Sequence, residues 1–257
     1  MRHLLQRHPV PVEAFFRDVL VLTYAFPKRV LEPLLPPGLI LDTYKDFGFL
    51  AIAMVQTEQM RPSGFPAAFG QKFFLSGYRI FARYPTRSGK TLRGLRILRS
   101  DTDKSAMALF GNLLTHYHYQ KADVSVSRMD HILEVAIQTP DGQADLHVIA
   151  DLSSKPAALP ANSPFETLRD ARRFAGPLPF TFDYEKETHS IIRIQGVRTH
   201  WNPQPVAVKV LRNSFLEQPP FFLANPLLAS AFHLQDVPYR WERGVRETLE
   251  GKNECHG

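Results

Sequence analysis

The segment Thr115-His116-Tyr117-His118-Tyr119-Gln120-Lys121 sets two imidazoles, two phenols and one amine within seven residues. A lysine whose pKa is lowered by desolvation or by a neighbouring cation can form a Schiff base with a ketone. The iminium then accepts the electrons of a breaking carbon–carbon bond. Lys121 is the candidate nucleophile, with His116 or His118 assisting proton transfer and Tyr117 beside the substrate. The competing reading is an exposed lysine: Lys121 shares parity with Asp123, Ser125 and Ser127, and lysine is almost never fully buried unpaired.

A second group lies upstream. Phe73 to Tyr84 reads as a strand whose odd positions place Phe73, Leu75, Gly77, Arg79 and Phe81 on one face. An arginine among large apolar groups needs an acid or an anionic ligand, because burying its charge alone is costly. Arg79 is therefore the candidate for holding a substrate carboxylate, against a structural ion pair or a place at a barrel end. Around it Arg83, Arg87, Lys90, Arg93, Arg96, Arg99 and Lys104 add positive charge. In an extended chain these do not form one stripe, so they read as solvated surface.

Other chemistries lack their signatures. His116 and His118 could join His131, His147 or His200 around a metal, yet there is no HExxH and no Cys-x-x-Cys, so neither a metal nor a cofactor is expected. G-x-S-x-G, P-loop and G-x-G-x-x-G motifs are absent as well. A formal charge of +6 over 257 residues is the whole case for nucleic acid, which is not expected as a partner. Cys255, the single cysteine, excludes an intrachain disulfide, and no run approaches the roughly 18 apolar residues of a membrane span. A soluble cytoplasmic protein with a small-molecule ligand is expected, with a homo-oligomer admissible.

The elements that must position these groups are mostly strands: Val19–Phe26, Phe47–Met60, Phe73–Tyr84, Leu92–Ser100, then Ile132–Gln138 and Ala144–Ala150 around the turn Pro140-Asp141-Gly142. Phe180–Tyr184, Ile191–Val197 and Val206–Val210 follow. A helix from Lys104 to Tyr117, with N-cap candidates Asp101, Thr102 and Asp103, has an apolar stripe of Ala106, Leu109, Phe110, Leu113, Leu114 and Tyr117 that reads as core. Ser163-Pro164-Phe165-Glu166 has the form of a capping box opening a helix to Phe174, and Asn225-Pro226 that of a short helix through Phe232. With an N-terminal arm over 1–18, one domain over 19–246 and a polar tail from 247, the fold class is α+β, mainly β.

The runs YRIFARYP, RGLRILRSDTD and GNLLTHYHYQKA, with PLLPPGLILDTYKDFGFLAIAMV before them, resemble the YqjF-like family of the acetoacetate decarboxylase-like superfamily. The resemblance is good over Val19–Val126 and looser beyond, as in THWNPQPVAV. It implies a β-barrel around a small-molecule cavity with helices at its side. Acetoacetate decarboxylase uses a lysine for Schiff-base chemistry, its pKa lowered by an adjacent lysine. Where that enzyme has Pro-Lys-Lys, this chain reads Tyr119-Gln120-Lys121, and where it carries a pocket glutamate, Phe74-Leu75-Ser76-Gly77. Only Lys121 and Arg79 are loosely transferable. The resemblance thus implies a binder of a small anionic organic molecule, with lysine-dependent lyase chemistry or with no covalent step.

Overall fold

The computed structural model describes residues 2–153, 157–176 and 178–250. Its frame is built from long strands: β1 (Val12–Pro27), β2 (Phe47–Pro62), β3 (Gln71–Pro85) and β4 (Thr91–Thr102). After helix α1 (Ser105–Leu114) come the short β5 (Tyr119–Lys121) and β6 (Asp123–Met129), β7 (Ile132–Gln138) and β8 (Leu146–Asp151). Helix α2 (Leu168–Phe174) precedes β9 (Phe180–Glu185), β10 (Ser190–Arg198), β11 (Ala207–Asn213) and β12 (Leu227–Trp241). Strand formation thus reaches further at both ends than expected. β1 starts at Val12 inside the supposed arm, and Val245–Thr248 pairs with β10 where a polar tail was expected. Residues 251–257 lie outside the described range.

Strand order β12-β1-β2-β3-β4-β9-β10 closes on itself, because Gly196, Val197 and Arg198 of β10 pair with Trp241, Arg240 and Tyr239 of β12. The result is a ring of seven strands. Antiparallel pairs dominate; β4 and β9 run parallel, with Thr181 opposite Leu95. β11-β8-β7-β6 form a separate four-stranded sheet.

Alternation divides the ring strands between two interiors. Leu20, Leu22, Leu50, Ile52, Tyr78 and Ile80 point outward and meet Leu133, Val135, Leu146 and Val148 of the second sheet in the largest apolar core. Odd-numbered residues of the same strands point into the ring. There the register sets Thr23 beside Ala51 and Ala51 beside Arg79, with Val21, Ala53 and Gly77 in the next layer. Small side chains in adjacent layers cannot fill the ring. A hollow follows from the register.

Three sequence expectations change. Helix α1 ends at Leu114, its cap is Lys104, and Asp103 instead accepts a hydrogen bond from the Phe74 amide. Of its supposed core stripe Ala106, Leu109 (68% exposed) and Phe110 (57%) face outward and only Tyr117 is buried, while Met107 and Gly111 face the ring. The cap of α2 is Thr167, whose hydroxyl accepts from the Asp170 amide, whereas Ser163 bonds the Ala229 carbonyl. Asn225-Pro226 opens strand β12 rather than a helix, since that stretch is needed between β1 and β10 to close the ring.

Candidate functional site

The hollow is a cavity of about 120 Å³ inside the ring. Its walls are apolar over Val19, Ala51, Ala53 and Leu75 and aromatic toward Trp201 and Trp241. Its polar lining is Arg79, Arg198, Tyr117, Tyr119, Tyr239 and a few hydroxyls. Among the described lining residues there is no aspartate, glutamate, histidine or lysine.

Arg79 is the unusual group. Its neighbours in sequence are neutralised: Arg83 and Arg93 share buried Asp42 at 3.0 and 2.6 Å, Arg96 pairs with Asp183, and Arg99 reaches Asp101 at 2.9 Å and Asp141 at 3.1 Å. Arg96 and Arg99 are largely buried, so this part of the basic run is a set of internal ion pairs, while Arg87, Lys90 and Lys104 are exposed as expected of solvated surface. Arg79 has no acid partner among the described residues, and its buried Nε donates to nothing. Burial pushes the guanidinium pKa down, opposed only by the phenols of Tyr239, Tyr119 and Tyr117.

Those phenols arrive by a change of periodicity. Thr115 leaves the helix in extended geometry (φ −144°), and its hydroxyl donates to the Gly111 carbonyl at 2.7 Å. Beyond it the chain bends at His116 and Tyr117 and takes a left-handed step at His118 before β5 begins, which brings Tyr117 and Tyr119 to the cavity lining and leaves His116 and His118 outside it. Asn112 fixes Tyr119 by donating to its carbonyl at 2.8 Å and accepting from its amide at 2.7 Å. Burial pushes the Tyr119 hydroxyl to about 12 against the opposing pull of Arg79, and that of Tyr117 well above the ordinary value. Both are hydrogen-bond donors at neutral pH, and the buried Tyr117 hydroxyl has no protein partner.

The remaining sequence candidates lie elsewhere. Lys121 sits half-exposed at the end of β5, its amine 3.1 Å from Asp123, outside the cavity lining. By alternation Lys121 shares the face of Tyr119 on β5, yet its amine is paired with Asp123 at the surface, and the position corrects the expectation of a cavity nucleophile. His118 takes a left-handed backbone (φ 53°), its pKa lowered by partial burial and by Arg96. His116 approaches the Arg96–Asp183 pair, with its Nε2 buried and unpartnered. His131 lies in the turn between β6 and β7, His147 is on β8, and His200 bonds the Asp236 carbonyl. Among the described residues no three metal-ligating side chains gather.

Two residues without a counterpart in the sequence reading complete the lining. Arg198 at the end of β10 donates to the Leu178 carbonyl at 3.1 Å and lies over the rings of Trp201 and Tyr239 at 4.7 and 5.6 Å. Burial lowers its pKa, and it too lacks an acid among the described residues. Tyr239, stacked on Phe16 at 4.8 Å, lies within electrostatic reach of both guanidinia. The signal was available: Ile194-Gln195-Gly196-Val197-Arg198 repeats the alternation of Leu75-Ser76-Gly77-Tyr78-Arg79.

In each strand the glycine makes room for a polar head. A Cβ at Gly196 would lie 1.9 Å from the Tyr239 hydroxyl, and one at Gly77 would lie 2.9 Å from Arg79 Nε and 3.1 Å from Nη2. Only the flexible end of Arg79 blocks the second position. Gly77→Ala should therefore fold normally yet shift the guanidinium. Anion affinity should drop roughly tenfold, or ~1.4 kcal/mol, with an unchanged melting temperature, read by calorimetric titration beside thermal unfolding.

Residues 13–235 match the model of a family described as an uncharacterized conserved protein, DUF2071. The chain belongs to the DUF2071 family. No curated protein matches this DUF2071 chain in sequence. In structure it is similar to acetoacetate decarboxylase from Legionella pneumophila subsp. pneumophila str. Philadelphia 1, with a TM-score of 0.62, 12% identity, and 93% of this chain and 88% of that one covered. It is similar also to an acetoacetate decarboxylase-like enzyme from Sphingomonas wittichii RW1 (TM-score 0.60, 13% identity, 93% and 94% covered). A third similar structure is the enduracididine biosynthesis enzyme MppR complexed with pyruvate (TM-score 0.57, 12% identity, 93% and 90% covered). The DUF2071 chain thus has the acetoacetate decarboxylase-like fold expected from its sequence. Among its described residues no helix is long and apolar enough to cross a membrane.

Proposed function

We propose that this chain binds a small organic anion non-covalently in the ring cavity, its carboxylate held by Arg79 and the phenols of Tyr117 and Tyr119. One observation carries the reading: a half-buried guanidinium with a buried, free Nε–H faces a cavity whose described lining contains no acid. A buried cation without a counter-charge is destabilising, and a carboxylate accepting charge-assisted hydrogen bonds removes that penalty. The pyruvate complex of MppR is a small carboxylate bound by a protein of similar fold, which agrees with this ligand class. A cytoplasmic protein meeting small metabolites belongs to the same reading. Lys121, ion-paired outside the cavity, supports no Schiff base, so the reading contains no covalent step.

Titration calorimetry with short-chain carboxylates, run beside borohydride reduction and intact-mass measurement, tests it. Saturable binding without a mass increment is expected. A reduced adduct on Lys121 would overturn the non-covalent reading. Absence of heat across the series would overturn anion binding itself.

A further inference from the structure

The proposed carboxylate site accounts for one of the cavity's two cations. Arg198 is the other, and it is built in rather than left free. Its guanidinium is held by the Leu178 carbonyl and by the faces of Trp201 and Tyr239, where a surface arginine would extend into water. A second guanidinium without an acid partner against the same apolar space adds to the cost of placing positive charge there. A monocarboxylate neutralises only one of the two cations.

We infer that the occupant is a dianion, a short dicarboxylate with one carboxylate on Arg79 and the other on Arg198. The inference rests on the reading that Arg79 holds a carboxylate. The two guanidinia come from different ring strands, β3 and β10, face one cavity, and share the Tyr239 hydroxyl within electrostatic reach. Apolar walls at Val19, Ala53 and Leu75 suit a methylene or unsaturated bridge rather than a polyol. Size sets the length: an apolar cavity of about 150 Å³ admits benzene, and this one has about 120 Å³. That limits the bridge to a chain of about four to six carbons in all.

The test is calorimetric titration of the full chain at neutral pH with butyrate, succinate, glutarate and adipate, with inorganic phosphate as a compact dianion. Succinate or glutarate should bind about thirtyfold more tightly than butyrate, the gain expected of one further charge-assisted anchor. Arg198→Met should collapse that ratio toward unity, and Arg198→Lys, which keeps the charge and guards against a folding defect, should restore part of it. Equal affinity for butyrate and succinate, with binding still lost in Arg79→Met, would overturn the dianion while leaving the carboxylate site standing. Phosphate binding that depends on Arg198, with dicarboxylates silent, would overturn the dicarboxylate. If no anion binds, both readings fall together.

Discussion

Arg79→Met is expected to give a protein that melts higher than the parent and no longer binds its anion. The two effects share one cause. Arg79 is a half-buried cation with a buried, free Nε–H and no acid partner among the described residues. Exchanging buried charges for an apolar group of similar volume is often stabilising, and ~1–3 kcal/mol is expected here. For a chain of this length each kcal/mol moves the melting temperature by roughly 2–4 °C. Loss of the charge-assisted anchor should cost about 3 kcal/mol of binding, or about a hundredfold in Kd. Thermal unfolding with and without saturating carboxylate reads both terms, since ligand raises the parent's melting point and leaves the variant's unmoved. A variant less stable than the parent would mean that Arg79 is satisfied in the unliganded protein, and the anion reading would lose its basis.

Glu185→Gln tests how the ring end is closed. Glu185 is fully buried and accepts two hydrogen bonds from Arg7, Nε and Nη2 each at 2.7 Å, and another from the Thr188 hydroxyl. Arg7 lies in the turn that leads into β1, and the neighbouring His8 amide donates to the Leu114 carbonyl while Gly244 donates to that of His8. One ion pair therefore fastens the chain's start to β9. Neutralising the acid leaves a largely buried guanidinium uncompensated and should cost about 3 kcal/mol, or roughly 6–12 °C in melting temperature. Burial raises the Glu185 pKa, but the hydrogen bonds from Arg7 and Thr188 outweigh it and the net shift is downward. A depressed folded-state pKa makes the contribution full above the unfolded carboxylate's value, and it is lost as pH falls through the folded one. The gap between parent and variant should be widest near pH 7 and close below about pH 4. A constant gap from pH 7 to pH 3 would show that Glu185 acts through packing rather than charge.

The sequence by itself determined the local periods. Alternation is a property of the extended backbone, so Leu75, Gly77, Arg79 and Phe81 could be put on one face without knowing what that face meets. The same rule leaves Lys121 open, because it shares parity with Tyr119 as well as with Asp123. It also contained the second arginine, in the Gly-x-Arg repeat at Gly196 and Arg198. Family membership and the acetoacetate decarboxylase-like fold were legible in the runs around YRIFARYP and GNLLTHYHYQKA.

The tertiary structure decided which periods apply and what each face meets. The stretch from Ala106 to Tyr117 fits a helical stripe, yet the hydrogen bonds of Asn112 to Tyr119 and the fit of Met107 and Gly111 against the ring turn Leu109 and Phe110 outward. The chain has left the helix by Thr115, and the bend at His116 and Tyr117 with the left-handed step at His118 separates the tyrosines from the histidines. Whether Arg79 finds an acid depended on Asp42, Asp183 and Asp141, which reach Arg83, Arg93, Arg96 and Arg99 from distant parts of the chain, and on Asp101 beside Arg99 in β4; together they leave Arg79 out. Arg198 faces the same cavity only because β10 pairs with β12 to close the ring. Backbone geometry acts over two to four residues and is written locally, whereas charge compensation and cavity volume are sums over strands far apart in the chain, and they exist only once register and closure are set.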